Sequence, residues 1–247
     1  MMLTRLTYVH PDISIHLPTI PALITLSDPI PSSYSRLAYP QPSFDTLSNQ
    51  YTMKNITALL SALITANHIL SHHAVLDPFG HISVRNPHTN TTFFIALQIG
   101  PATVSSPADI GEFHIADGTP LPGTVGGYAE RYIHSEILKR YTDVNAVVHS
   151  HSEDVLPYTV LNSPSGNENG DEMAMLGMQP VYHMARVLGV EVPCFDIGDS
   201  YEEGEPRDML VNSGRSGKAL AETFGKNATR ATSPLHTTVL MRGYVPP

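Results

Sequence analysis

The chain has 247 residues, of which 41% are hydrophobic and 15% charged, and a formal net charge of −9 at pH 7. That size and composition suit one large α/β domain or two small ones, and the acidic balance excludes a nucleic-acid or anionic-membrane partner. No stretch approaches the ~20 apolar residues a membrane helix needs.

The single cysteine, Cys194, cannot close an intrachain disulfide, so a reducing, cytoplasmic setting is expected. The stretch Met1 to Pro31 holds Arg5 as its one Lys or Arg and repeated prolines, unlike a secretory signal. The N-x-S/T sequons at Asn55, Asn90 and Asn227 therefore read as chance matches.

Residues 1–46 carry prolines at 11, 18, 21, 29, 31, 40 and 42 and show no sustained periodicity. They read as an extended N-terminal arm that wraps the body or a neighbouring subunit, ahead of a domain over 47–247. The first regular element is expected at about Asn55 to His73, where Ile56, Leu59, Leu60, Leu63, Ile64, Ile69 and Leu70 recur at helical spacing. Asp77-Pro78-Phe79-Gly80 turns the chain into a strand at His81–Arg85, Asn86-Pro87 breaks it, and Thr91 to Leu97 makes a hairpin-like partner.

A third strand is predicted at Glu112–Ile115, then a Gly/Pro loop over 119–127 and a helix from Glu130 to Tyr141. Beyond residue 151 the pattern gives a short helix or loop over 153–161, a polar loop over 162–172 and an apolar helix over 181–188. An edge strand follows over 192–197, marked by Pro193, then a helix over 215–224 and a last strand over 237–241.

The stretch from Tyr141 to His151 carries the chemistry. Asp143 and Asn145 are turn-type residues, and Ala146-Val147-Val148 is the apolar run of a core strand. Residues i and i+2 of a strand share a face, so His149 and His151 project side by side, half of a tetrahedral site for a metal such as zinc. Glu130 stands in the first turn of the helix before, where the helix dipole alone would favour a carboxylate. Other candidates weigh less. Ser150 and Ser152 lack a G-x-S-x-G elbow, Cys194 reads as a packing residue, and Asp199, Glu202, Glu203 and Glu205 read as a solvated acidic loop.

The G-H-I-S-V-R strand, the glycine-rich loop, the helix led by Glu130, the segment D-V-N-A-V-V-H-S-H and the last V-L-M-R-G strand occur in an order that resembles the class II aldolase/adducin family, over about residues 55–244. The likeness is greatest to the fungal branch of secondary metabolism. The resemblance implies an α/β/α three-layer fold with a mainly antiparallel central sheet. It also implies a divalent metal, usually Zn2+, held by three histidines, a glutamate as acid/base, and homo-oligomers, often tetramers. By position, His149 and His151 match the paired ligands and Glu130 the catalytic glutamate, with a raised pKa expected in a partly dry pocket. Tyr244 stands where the third histidine follows R-G; His236, His183 or a water could complete the site. Against the family, the domain is expected to be short at its C-terminus.

The family's sugar-phosphate aldolases grip phosphate with G-N-x-S, a T-G loop and two serines before the glutamate. Here those places hold Gly80-His81, Ile99-Gly100-Pro101 and Tyr128-Ala129. A phosphate dianion needs several charge-assisted donors, so the expected small-molecule substrate is a non-phosphorylated oxygenated carboxylic acid. His81, Arg85, Tyr128 and Arg131 are candidates to meet its carboxylate or a ring. The implied function is a metal-dependent carbon–carbon lyase, a decarboxylase by preference. The alternatives are a retro-aldol aldolase on a small hydroxy-carbonyl compound and a non-catalytic adducin-like assembly protein.

Overall fold

The computed structural model describes residues 2–7, 55–160, 162–164, 173–175, 178, 192–224 and 236–242. Its elements are β1 (Met2–Thr7), α1 (Ile56–His72), β2 (His81–Arg85), β3 (Thr92–Ala96), β4 (Ile110–His114), α2 (Arg131–Arg140) and β5 (Val144–Ser150). After them come α3 (Leu156–Val160), β6 (Asn162–Pro164), β7 (Met173–Met175), β8 (Cys194–Asp196), α4 (Gly214–Thr223) and β9 (His236–Arg242). Chain contacts group Met1–Tyr8 with Lys54–Pro247; the second unit, Val9–Met53, lies outside the described residues, and with it most of the expected arm. The predicted helix over 181–188, His183 and Tyr244 also lie outside them.

Seven strands form one sheet in the order β4-β3-β2-β5-β1-β9-β8. Its ladders are antiparallel except β8 with β9, which is parallel. Strand β8 ends the sheet, as the segment after Pro193 was expected to do, because proline offers no N–H to a second neighbour. The surprise is β1. The first regular element was expected at residue 55, yet residues 2–7 pair with both β5 and β9 near the middle of the sheet. Met-Leu-Thr-Arg-Leu-Thr has no clean period-two alternation, so its strand state is set by the two ladders it joins and not by local pattern. Residues 162–164, read as part of a polar loop, pair as β6 with β7 in a separate two-stranded sheet.

Alternation along the strands sends side chains to both faces, and each face is covered. Phe93, Ile95, Phe113 and Val147 pack with Ile133, Ile137 and Leu138 of α2 and with Leu220 and Ala221 of α4. Ile82, Phe94 and Val148 pack instead with Leu59 and Leu63 of α1 and with Leu76. This is the expected α/β/α three-layer arrangement with a mainly antiparallel sheet. Full burial of each large aliphatic or aromatic side chain favours folding by about 1.5–3 kcal/mol, so both layers hold the sheet firmly.

Helix α1 begins where Asn55 accepts a hydrogen bond from the Thr57 N–H and ends at His72, within a residue of its predicted limits. Helix α2 is held by α4 at close range. A Cβ on Gly217 would stand 2.6 Å from the Tyr132 carbonyl oxygen, a backbone atom that cannot swing aside. Gly217→Ala is expected to lower stability by about 1–3 kcal/mol through overpacking, read as a lower denaturant midpoint with an unchanged slope.

Candidate metal centre and active site

Cross-strand register creates the centre. His81, the first residue of β2, lies opposite His149 of β5. Directly opposed residues of an antiparallel pair share a face with their Cβ atoms ~5 Å apart. The two imidazoles accordingly stack with centroids 4.8 Å apart. Two residues on from His81, Ser83 points to the same face, under α2. Glu130 is the N-cap residue of α2, and His134 is one turn further along that helix.

Glu130 makes no cap hydrogen bond to its own helix. Its Oε2 instead lies 3.3 Å from Nε2 of His149, and its Oε1 accepts the Val211 N–H at 3.4 Å. Ligand atoms of His81, Glu130 and His149 all lie within 4.8 Å of one another, and all three residues are buried. Buried polar atoms are nearly always hydrogen-bonded. Among the described residues the unpartnered buried side-chain atoms are Asn67 Oδ1, His81 Nε2 and both ring nitrogens of His149, the last close to Glu130 but out of hydrogen-bond alignment. Three of these four belong to the cluster. Two imidazoles and a carboxylate are the donor set that zinc and similar divalent ions take. The residues therefore fit a divalent ion.

His151 lies just past β5, its ring 4.8 Å from that of His149 and perpendicular to it. It is not one of the three clustered groups. Its Nδ1 meets Asp77 Oδ1 at 3.0 Å, a carboxylate–imidazole pairing that leaves Nε2 as the free nitrogen when Nδ1 donates. Asp77 is fixed by the Phe79 and Gly80 N–H groups. Gly80 is needed there, because a Cβ would come within 2.9 Å of Leu76 Cδ2 and 3.1 Å of the His149 carbonyl oxygen.

The three places that depart from a phosphate grip meet in one wall. Tyr128 donates its hydroxyl to the Ile99 carbonyl at 2.5 Å, and its ring lies 4.4 Å from that of His81. Burial, with the charge of Asp77, pushes the Tyr128 phenol up to about 12, so it stays a neutral donor. Arg85 and Arg131, the other two candidates for a substrate contact, direct donors to the protein itself. Arg85 donates to the carbonyls of Val144, Asn90, Leu138 and Tyr141. Arg131 donates to the carbonyls of Gly118 and Tyr128 and to the Tyr132 hydroxyl. Both tie loops to α2 or β5.

Burial pulls His149 below the ordinary imidazole range, and Glu130 offsets this only in part. His81 and His134 are held well below that range by burial and by neighbouring histidines. All three are neutral near pH 7, as ligand imidazoles must be. Glu130 departs from the sequence expectation of a raised pKa. Burial does raise it, but the His149 contact and the Val211 N–H outweigh burial and leave the carboxyl below its usual range.

The structure thus brings Glu130 and His149 together, sets His151 beside them on Asp77, and adds His81 and His134. His134 is four residues from Glu130 and so on one helix face with it, a spacing visible in the sequence. The His81–His149 pairing had no such signal, because it depends on which strands are neighbours.

The model of the Class II Aldolase and Adducin N-terminal domain matches residues 61–243. Decarboxylase tropJ of Talaromyces stipitatus is 39% identical over 182 residues, 73% of this chain; the chain spans 63% of that relative's length. Among solved structures, the aldolase/epimerase/decarboxylase-type protein YgbL of Klebsiella pneumoniae shares the fold with a TM-score of 0.51 at 13% identity, over 74% of each chain. The L-fuculose-1-phosphate aldolase of Thermus thermophilus aligns over 74% of this chain and 75% of its own, with 18% identity and a TM-score of 0.49. Because the family match runs from the first helix to the last strand, the chain belongs to the class II aldolase and adducin family, in the branch that holds the fungal decarboxylase.

Proposed function

We propose that this chain is a metal-dependent carbon–carbon lyase, a decarboxylase of a non-phosphorylated, oxygenated carboxylic acid in secondary metabolism. The observation that carries the reading is the buried group of Glu130 and His149 with unpartnered ring nitrogens. His149 and His151 would hold the ion, zinc or another divalent metal, with Asp77 orienting His151. When bound, the ion supplies Lewis acidity to the oxygens beside the bond that breaks. Glu130 rests deprotonated, and it takes up a proton from water when the like charge of the substrate carboxylate is placed beside it. The carbon–carboxyl bond then breaks, CO2 leaves, and the electron pair passes to the neighbouring carbonyl oxygen. Glu130 returns its proton to the carbon that lost CO2, which restores the carboxylate.

The interlocked His81, Tyr128 and Ile99 support the absence of a phosphate, since the hydroxyl of Tyr128 is committed to a carbonyl and its ring packs against His81. The 39% identity to a decarboxylase supports CO2 as the leaving fragment over an aldehyde. The reading includes a homo-oligomer. Helix α3 leaves Leu156, Tyr158 and Val160 exposed, apolar surface of the kind that subunit contacts cover.

The test is a panel of 3-oxo and hydroxylated carboxylic acids, incubated with zinc-loaded protein and assayed for both CO2 and aldehyde. Release of CO2 from members of the panel is expected, and none from their phosphorylated counterparts. Aldehyde without CO2, or turnover of L-fuculose 1-phosphate, would refute the decarboxylase reading.

A further inference from the structure

Beyond the two histidines of the H-x-H segment, a third imidazole is built into the centre. His81 Nε2 is fully buried and has no hydrogen-bond partner. It belongs to the same group as Glu130 and His149. The other ring nitrogen, Nδ1, is 2.7 Å from His134 Nε2, and His134 Nδ1 is 2.7 Å from Ser83 Oγ. His134 and Ser83 are both fully buried, so no water competes for these contacts.

We propose that His81 is the third protein ligand of the metal centre, and that His134 and Ser83 form a relay that fixes its tautomer and ring plane. The inference rests on the metal-dependent reading above and adds a ligand to it. The chain of contacts has a direction that suits this role. An imidazole that binds through Nε2 carries its proton on Nδ1. His81 Nδ1–H then donates to His134 Nε2, and His134 Nδ1–H donates to Ser83 Oγ. Each ring is neutral, each short contact has one proton, and the lone pair of His81 Nε2 is left facing Glu130 and His149. Ligand imidazoles are commonly held through their second nitrogen in this way, and the loss of such support weakens metal affinity by about 10–100-fold.

The ring plane has a further support. Tyr128 lies against His81 on one side at 4.4 Å and His149 stacks at 4.8 Å. A side chain fixed by two rings and a two-step hydrogen-bond chain loses little freedom when it binds an ion. The same position is Asn in the sugar-phosphate pattern set out above, and an amide has no imidazole nitrogen to give.

The test is titration of metal-free protein with Co2+, followed by its visible d–d absorption and by competition with a chelator. The chains to compare are the wild type, His81→Ala, His81→Asn, His134→Phe and His134→Gln. His81→Asn keeps a polar group for His134 and guards against a folding defect, and near-ultraviolet circular dichroism of the metal-free chains reports the fold. Wild type is expected to bind one ion per chain. Both His81 variants should lose at least 10-fold in affinity and change the cobalt spectrum. His134→Phe should weaken binding about 10–100-fold, and His134→Gln, which offers an amide oxygen to His81 Nδ1–H, should recover part of that loss. Wild-type affinity and spectrum in folded His81→Asn would overturn His81 as a ligand and leave the metal reading standing. No cobalt or zinc binding by wild type would overturn both.

Discussion

Glu130→Gln is expected to lower turnover by about 10²–10⁴-fold, the usual contribution of a positioned acid/base, while the content of bound metal stays near that of the wild type. The carboxylate is buried and spends no hydrogen bond on capping its own helix. The Val211 N–H on one oxygen and His149 beside the other aim it into the cluster. An amide keeps that shape and can still accept from Val211, but it cannot take up and return a proton. The measurement is CO2 release under saturating substrate, with elemental mass spectrometry of the same sample. Unchanged turnover would reduce Glu130 to a helix-start carboxylate placed by the dipole alone.

His149→Ala is expected to remove the ion altogether. The imidazole is wholly buried at the junction of β2, β5 and α2, and both of its ring nitrogens lack an aligned partner. A ligand that binds only the folded state stabilises it by about 2.7 kcal/mol at a hundred times its Kd. For a domain of this size that raises Tm by about 5–10 °C. Wild type should show this rise when zinc is added to metal-free protein, and His149→Ala should show none. A variant that still gains the full rise would place the ion elsewhere. Because both melts begin from metal-free protein, any cavity left by the lost ring shifts the baseline and not the zinc-dependent increment.

The two predictions separate functions that the sequence ties together. Glu130 and His149 stand nineteen residues apart in the chain, and the structure puts their side chains in contact. Loss of the carboxylate should cost turnover and keep metal, whereas loss of the imidazole should cost both. If neither variant changed anything measurable, the grouping would be a buried polar cluster with a structural role.

Much of the architecture was legible because it is local. The apolar spacing of Ile56 to Leu70 set α1, the strand-type residues of His81–Arg85 and Thr92–Ala96 between turn-type breaks set β2 and β3, and the valine run set β5. Pro193 gave away an edge strand. The candidacy of Glu130 and His149 was legible too, since residue type and a specific segment announced them. What local pattern could not carry was neighbourhood. Met2–Thr7 became a strand only through its two partners. His81, read as a contact for a carboxylate or a ring, turned out to face His149 because β2 and β5 pair in that register. Arg85 and Arg131, read in the same way, were drawn into backbone carbonyls by the loops around them.

By itself, then, the sequence determined most of the element types, the family-like order of motifs and the identity of the first acid/base and ligand candidates, because each depends on residues a few positions apart. Only the tertiary structure decided the rest. Strand order placed His81 beside His149, the docking of α2 brought His134 onto Ser83 and His81, and a loop N–H fixed Glu130. The sign of the Glu130 shift was decided there as well. Burial and a neighbouring imidazole push that carboxyl in opposite directions, and only their distances in the folded chain settle which one prevails.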